Sequence, residues 1–164
     1  MEIKIVLYLP RDAVSVPVCR QVLDSCLQTL GVTPDTRADI ALALSEACAN
    51  VIQHAGPGEE YEVQVIAGNR RCAIEVVNMD RGPSEGFALS DDPVPATAEH
   101  GRGLKIIDAV ADNLQLTNND RQGTVVHFEK TLEWLPGAAG QHLFSSQRQA
   151  GQGRAHDRVR KTVL

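Results

Sequence analysis

The stretch ALSEACANVIQHA, residues 43–55, sets Glu46, Asn50 and His54 at four-residue intervals inside an otherwise apolar segment. Residues four apart on an α-helix stack on one face, so the three polar side chains share a slowly drifting stripe. Ile40, Leu44, Ala47 and Val51 form the neighbouring stripe, apolar and suited to a core. The segment reads as a helix at the boundary of the core, with a carboxylate and a carboxamide on its rim. On spacing alone, two solvated polar residues are the plainer account.

Working outward, Thr33 and Pro34 suit the cap and first position of this helix, and GPG at 56–58 suits its end. Before it, IKIVLYLP (3–10) alternates, with Ile3, Ile5, Leu7 and Leu9 on one side, and predicts a half-buried strand. RDAVSVPVCRQVLDSCLQTLG (11–31) carries a helical stripe through Val18, Val22, Leu23, Cys26 and Leu30, begins near Ser15 or Val16, and stops at Gly31. After it, YEVQVIAG (61–68) and RCAIEVVNM (71–79) read as a hairpin. Asp80 to His100 shows no periodicity, and a long irregular stretch in a compact domain reads as a functional loop. GLKIIDAVADN (103–113) restores helical spacing, and LQLTN with GTVVHFEKTLEW makes a second hairpin.

The order β-α-α-β-β-loop-α-β-β predicts an α+β two-layer sandwich: a mostly antiparallel sheet with helices on one face. The domain is expected over 1–135, with 136–164, rich in Gly, Gln, Ser and Arg, as a flexible C-terminal tail. Val6 and Tyr8, opposite the apolar side of the first strand, make that strand a candidate for homodimer contact.

Composition narrows the function. The 164 residues are 43% hydrophobic and 23% charged, with a formal charge of −5. That balance argues against general binding to nucleic acid or an anionic membrane, both of which need a basic surface. No apolar run is long enough for a membrane span, and the acidic N-terminal stretch does not read as a signal peptide, so the expected compartment is cytoplasmic. Cys19, Cys26, Cys48 and Cys72 lack metal-ligand or redox spacing and read as packing thiols.

Three further signals lie downstream. Asp80 leaves a strand beside Gly82, a common turn and also a way to meet an exocyclic amine while the backbone approaches a ring. Gly101 and Gly103 precede an expected helix start, where free amides could meet phosphate. Gly123 and Thr124 open the last strand. Neither a Walker-type loop nor a Rossmann fingerprint is present.

In order and content, Glu46-x-x-x-Asn50-x-x-x-His54-Ala55, Asp80-x-Gly82, Gly101-x-Gly103-Leu104 and Gly123-Thr124 resemble the N, G1, G2 and G3 boxes of the GHKL (Bergerat-fold) ATPases. The chain is most similar to their small bacterial branch, the anti-sigma factors that are also serine-protein kinases, over roughly residues 1–135. The resemblance implies ATP and Mg²⁺ as cofactors, with Asn50 as the metal ligand and Glu46 as the catalytic base for a serine hydroxyl. It implies a nucleotide site formed by Asn50, Asp80, Gly82, Gly101, Arg102, Gly103, Leu104 and Thr124, with Asp80 on the adenine amine and Thr124 assisting. Residues 82–100 would be the ATP lid, and His54 would be structural. It also implies two partners, a sigma factor and an anti-sigma-factor antagonist phosphorylated on serine.

Two departures bear on rate more than on binding. Where G1 usually reads Asp-x-Gly-x-Gly, this chain has DRGPS (80–84), and the place of a basic residue before G2 holds Glu99 and His100. Arg102 and Lys105 are the nearby cations. A nucleotide-binding sequestration module without kinase activity is therefore the alternative. A histidine kinase would need a phospho-accepting His on a dimerisation helix pair, for which the chain has no segment.

Overall fold

A computed structural model describes residues 1–54, 60–68, 70–78, 99–119 and 123–145. In chain order the elements are β1 (Glu2–Pro10), α1 (Ser15–Leu30), α2 (Pro34–His54), β2 (Glu60–Gly68), β3 (Arg71–Asn78), α3 (Glu99–Val110), β4 (Asn113–Asn119), β5 (Gly123–Thr131) and α4 (Ala139–Ser145). The strands form one sheet ordered β1-β2-β3-β5-β4, with every neighbouring pair antiparallel. This is the expected α+β sandwich.

Strand alternation decides what meets the helices. Val65, Ile74 and Phe128 lie opposite one another across β2, β3 and β5, as do Val63, Val76 and Val126 one step along. Directly opposed residues share a sheet face, and these six are buried in one cluster with Ile40, Leu44, Ala47 and Val51 of α2. The apolar stripe of α2 thus faces the sheet and sets the rotation of the helix. Among the described residues no helix is long and apolar enough to cross a membrane.

The chain ends of the helices follow local chemistry. Gly31 closes α1 at φ 86°, a left-handed conformation that glycine adopts without penalty, and its N–H returns to the Gln28 carbonyl. Thr33, expected as the cap of α2, donates its hydroxyl to Thr36 Oγ1 at 3.0 Å, and its carbonyl accepts from the Arg37 N–H. The expected terminator at 56–58 and Asn69 of the first hairpin lie outside the described residues.

All four cysteines are free, three of them buried. Cys48 donates to Cys19 across the α1–α2 contact; that hydrogen bond, with burial, pushes the Cys48 thiol up, and the same hydrogen bond holds the Cys19 thiol down against its burial. Burial pushes Cys72 up to about 12. Beside them, Tyr61 OH and Ser15 Oγ share a buried hydrogen bond of 2.7 Å. Packing thiols are what the spacing implied. Strand β1 is the sheet edge, with Tyr8 63% exposed and Val6 beside it on the face away from the helices.

Beyond residue 135, Ala138 and Phe144 are buried and α4 packs near α1. Thr33 N–H donates to the Glu133 carbonyl and Leu135 N–H to the Gly31 carbonyl, both at 2.9 Å, with Val32 bridging Trp134. Helix α4 then lays Phe144 beside Trp134, ring centroids 5.8 Å apart. Gly140 sits against the Trp134 ring so closely that a side chain there would collide with it. The polar, glycine-rich composition hid this because the anchor is a single aromatic pair. Residues 146–164 lie outside the described residues.

Phe144→Ala is therefore expected to lower unfolding free energy by about 3 kcal/mol, within the range for truncating a buried aromatic. Denaturant unfolding checks this; a residue in a loose tail would leave the midpoint unchanged.

Candidate functional site

Glu46 and Asn50 occupy successive turns near the C-terminal end of α2. At that end Arg11, one residue past β1, donates through Nη2 to the carbonyls of Val51 at 3.3 Å and Ile52 at 3.2 Å. These belong to the last turn, whose carbonyls lack intrahelical donors, and a cation there opposes the negative end of the helix dipole. The pairs Pro10↔Glu60, Tyr61↔Asn78 and Val77↔Val125 show that β1 and β3 end, and β2 and β5 begin, at one end of the sheet. Arg11 ties the Asn50 end of α2 to that same end.

Two chain positions next to the motifs stand at this end. Asn78, buried at the end of β3, is the last described residue before Asp80, and Thr124 stands one position before Val125 on β5. Both chain positions therefore leave the sheet end that Asn50 overlies. Asp80, Gly82 and the lid expected from 82 as far as 98 lie outside the described residues.

Helix α3 completes the arrangement through Gly103. A Cβ at 103 would stand 2.9 Å from Glu46 Oε2, 3.3 Å from Asn50 Oδ1 and 3.5 Å from Asn50 Nδ2. The two side chains converge on the backbone of α3, and a larger residue would displace the carboxylate. Here the expectation that both glycines precede the helix is corrected: α3 starts at Glu99. Gly101 lies in the first turn, where amides lack intrahelical acceptors. Gly103 lies beyond it and acts as a packing glycine. Leu104 packs half-buried against the core, while Arg102 and Lys105 are exposed.

Asn50 Nδ2 is buried and has no hydrogen-bond partner among the described residues. An unmatched buried donor costs about 1–3 kcal/mol, so nothing about folding favours it. A carboxamide can offer Oδ1 to a hard cation and an N–H to an anionic oxygen, and the adjoining carboxylate can accept a proton. The pair fits a metal-bound phosphate with a hydroxyl nearby.

Sequence reasoning missed Arg11, Asn78 and Lys130. Only Lys130 had a signal, since alternation after Val126 and Phe128 puts it on the helix side of β5.

A family model described as a histidine kinase-like ATPase domain matches residues 9–130. The serine-protein kinase RsbW of Bacillus mycoides (strain KBAB4) is 27% identical over 126 residues, covering 71% of this chain and 79% of that protein. RsbW of Bacillus cereus (strain B4264) is 28% identical over the same lengths. The crystal structure of the RsbU and RsbW domains of a Mycobacterium tuberculosis protein superposes with a TM-score of 0.60 at 18% identity. It covers 79% of this chain and 32% of that one, so the present chain spans about a third of that protein's length.

Replacing Asn50 by the near-isosteric leucine removes an unmatched buried donor. Asn50→Leu is expected to leave the melting temperature unchanged or raise it, by up to about 1 kcal/mol in stability. A loss above that in thermal unfolding would show that the amide serves the fold.

Proposed function

Because the chain belongs to the histidine kinase-like ATPase domain family, we propose that it is an ATP- and Mg²⁺-dependent serine-protein kinase that also sequesters a sigma factor. Its substrate in this reading is an anti-sigma-factor antagonist, phosphorylated on serine, whose unphosphorylated form releases the sigma factor. The observation that carries the reading is the convergence of Glu46 and the unmatched Asn50 amide on Gly103. The name serine-protein kinase on the Bacillus relatives supports the reaction class.

In this reading Asn50 holds the metal through Oδ1 and directs Nδ2–H at a phosphate oxygen. The chemistry that Mg²⁺ would supply there is neutralisation of phosphate charge. Glu46, one turn away, would accept the proton of the serine hydroxyl as its oxygen bonds to the terminal phosphorus and the bond from that phosphorus to the bridging oxygen breaks, with ADP leaving. Gly103 lets α3 come close enough to confine both side chains. Asp80 would accept from the adenine amine, with Thr124 assisting. Gly82 and Gly101, with Arg102 and Leu104 on α3, would shape the phosphate end.

The acidic balance of the chain suits a basic, DNA-binding sigma factor. The exposed edge strand β1, with Tyr8 and Val6 outward, supports a homodimer. The sequestration module without transfer is the second reading, favoured by DRGPS at 80–84 and by Glu99 and His100 ahead of the glycines.

Incubation with ATP, Mg²⁺ and candidate antagonists separates the two: phosphoserine formation supports the kinase, whereas ATP binding without phosphoserine supports the module. Asn50→Ala is expected to abolish Mg²⁺·ATP binding in calorimetric titration. Glu46→Ala should slow phosphoryl transfer by roughly 10²-fold or more while ATP affinity stays within about threefold. Transfer at the normal rate in that variant would remove Glu46 as the base. Asp80→Ala should narrow the preference for adenine over guanine nucleotides in competition binding.

A further inference from the structure

Lys130 occupies the helix-facing side of β5, paired across the sheet with buried Cys72. A lysine on the core face of an interior strand needs partners for its charge. Its side chain is 19% exposed, and Nζ reaches Asp39 Oδ2 on α2 at 2.8 Å. The same ammonium donates to the Val110 carbonyl, the last of α3, at 2.6 Å. That carbonyl lies where a helix has no internal donors and where positive charge is favoured. One side chain therefore joins β5, the beginning of α2 and the end of α3.

The spacing gives this junction a consequence. Gly103 meets α2 at Glu46, and Val110 meets it through Lys130 at Asp39. Both separations are seven residues, two helical turns, so each pair lies on one face of its helix about 10 Å apart. The two helices run antiparallel and are tied at matched intervals, by a close backbone approach at one end and a charged junction at the other. Apolar packing is non-directional, and in α3 Ile107 is the fully buried large side chain. Leu104 and Val110 pack half-buried beside it, and the charged junction adds a directional contact to that packing. The ammonium, held between a carboxylate and a helix-end carbonyl, has a direction.

We propose that Lys130, with Asp39, is a positioning residue that sets the register of α3 on α2 and thereby holds Gly103 against Glu46 and Asn50. The proposal rests on the assignment of that end of α2 as the nucleotide site. Its action is transmitted along α3, from Val110 to Gly103.

Two measurements on the full chain test it: amide hydrogen exchange without nucleotide, and Mg²⁺·ATP titration. In Lys130→Met the amides of residues 104–110 should exchange at least about tenfold faster, with those of β2 and β3 unchanged. Mg²⁺·ATP affinity should fall about tenfold, as for the loss of an outer partner of a ligand. Lys130→Arg should restore most of both, and Asp39→Asn should shift both in the same direction. The double variant Asp39→Asn/Lys130→Met should be no worse than Lys130→Met alone, because the two act as a unit. Should Lys130→Met fail to fold, Asp39→Asn carries the same readouts. Unchanged exchange in α3, or equal acceleration throughout the sheet, overturns the proposal. If the wild-type chain binds no Mg²⁺·ATP, the nucleotide reading falls and the exchange data still decide the register.

Discussion

The close approach of α3 to α2 at Gly103 is the constraint on which the site depends. With no side chain at that position, the backbone of α3 reaches the tips of Glu46 and Asn50, and the three form one wall. The approach is possible because both helices are held elsewhere. The apolar stripe of α2 is committed to the sheet, Arg11 fastens its C-terminal carbonyls, and Ile107 and the Lys130 junction secure α3. A carboxylate and an unmatched amide are thus kept at the edge of the core without collapsing onto other partners.

At Asn50 this arrangement opposes folding economy. An interior that leaves an amide donor unmatched forgoes stability that leucine at the same position would recover. Other buried polar groups find partners, although among the described residues Arg37 Nε, like Asn50 Nδ2, has none. Tyr61 and Ser15 pair with each other, and Arg37 meets Asp24 through both carboxylate oxygens. At Asn50 the unmatched donor falls on the residue that the family resemblance assigns to the metal.

Much of the fold was legible in the sequence, for reasons that can be traced to particular residues. The alternation of Ile3, Ile5, Leu7 and Leu9, the Pro34 start and the Gly31 stop are local signals, and each element appears where they put it. Helix α4 was not legible, because its stability lies in Phe144 meeting Trp134 across a turn, within a composition that reads as solvent-loving. The start of α3 was misread for a related reason: glycine suggests a loop, but at 103 it is needed inside a helix for a close approach. At the site, the four-residue spacing of Glu46 and Asn50 was visible, whereas their shared target was not, since it lies more than fifty residues along the chain. Alternation after Val126 and Phe128 puts Lys130 on the helix side of β5, but its partners Asp39 and Val110, on two other elements, could not be read from that pattern.

The most direct test of the central claim is a crystal structure of the full chain with Mg²⁺ and a non-hydrolysable ATP analogue. The account predicts the metal at about 2.1 Å from Asn50 Oδ1, phosphate oxygens within hydrogen-bond distance of Asn50 Nδ2, and Glu46 facing the terminal phosphate without ligating the metal. A nucleotide bound away from the α2–α3 contact, or a metal held by Glu46 with Asn50 turned aside, would contradict it.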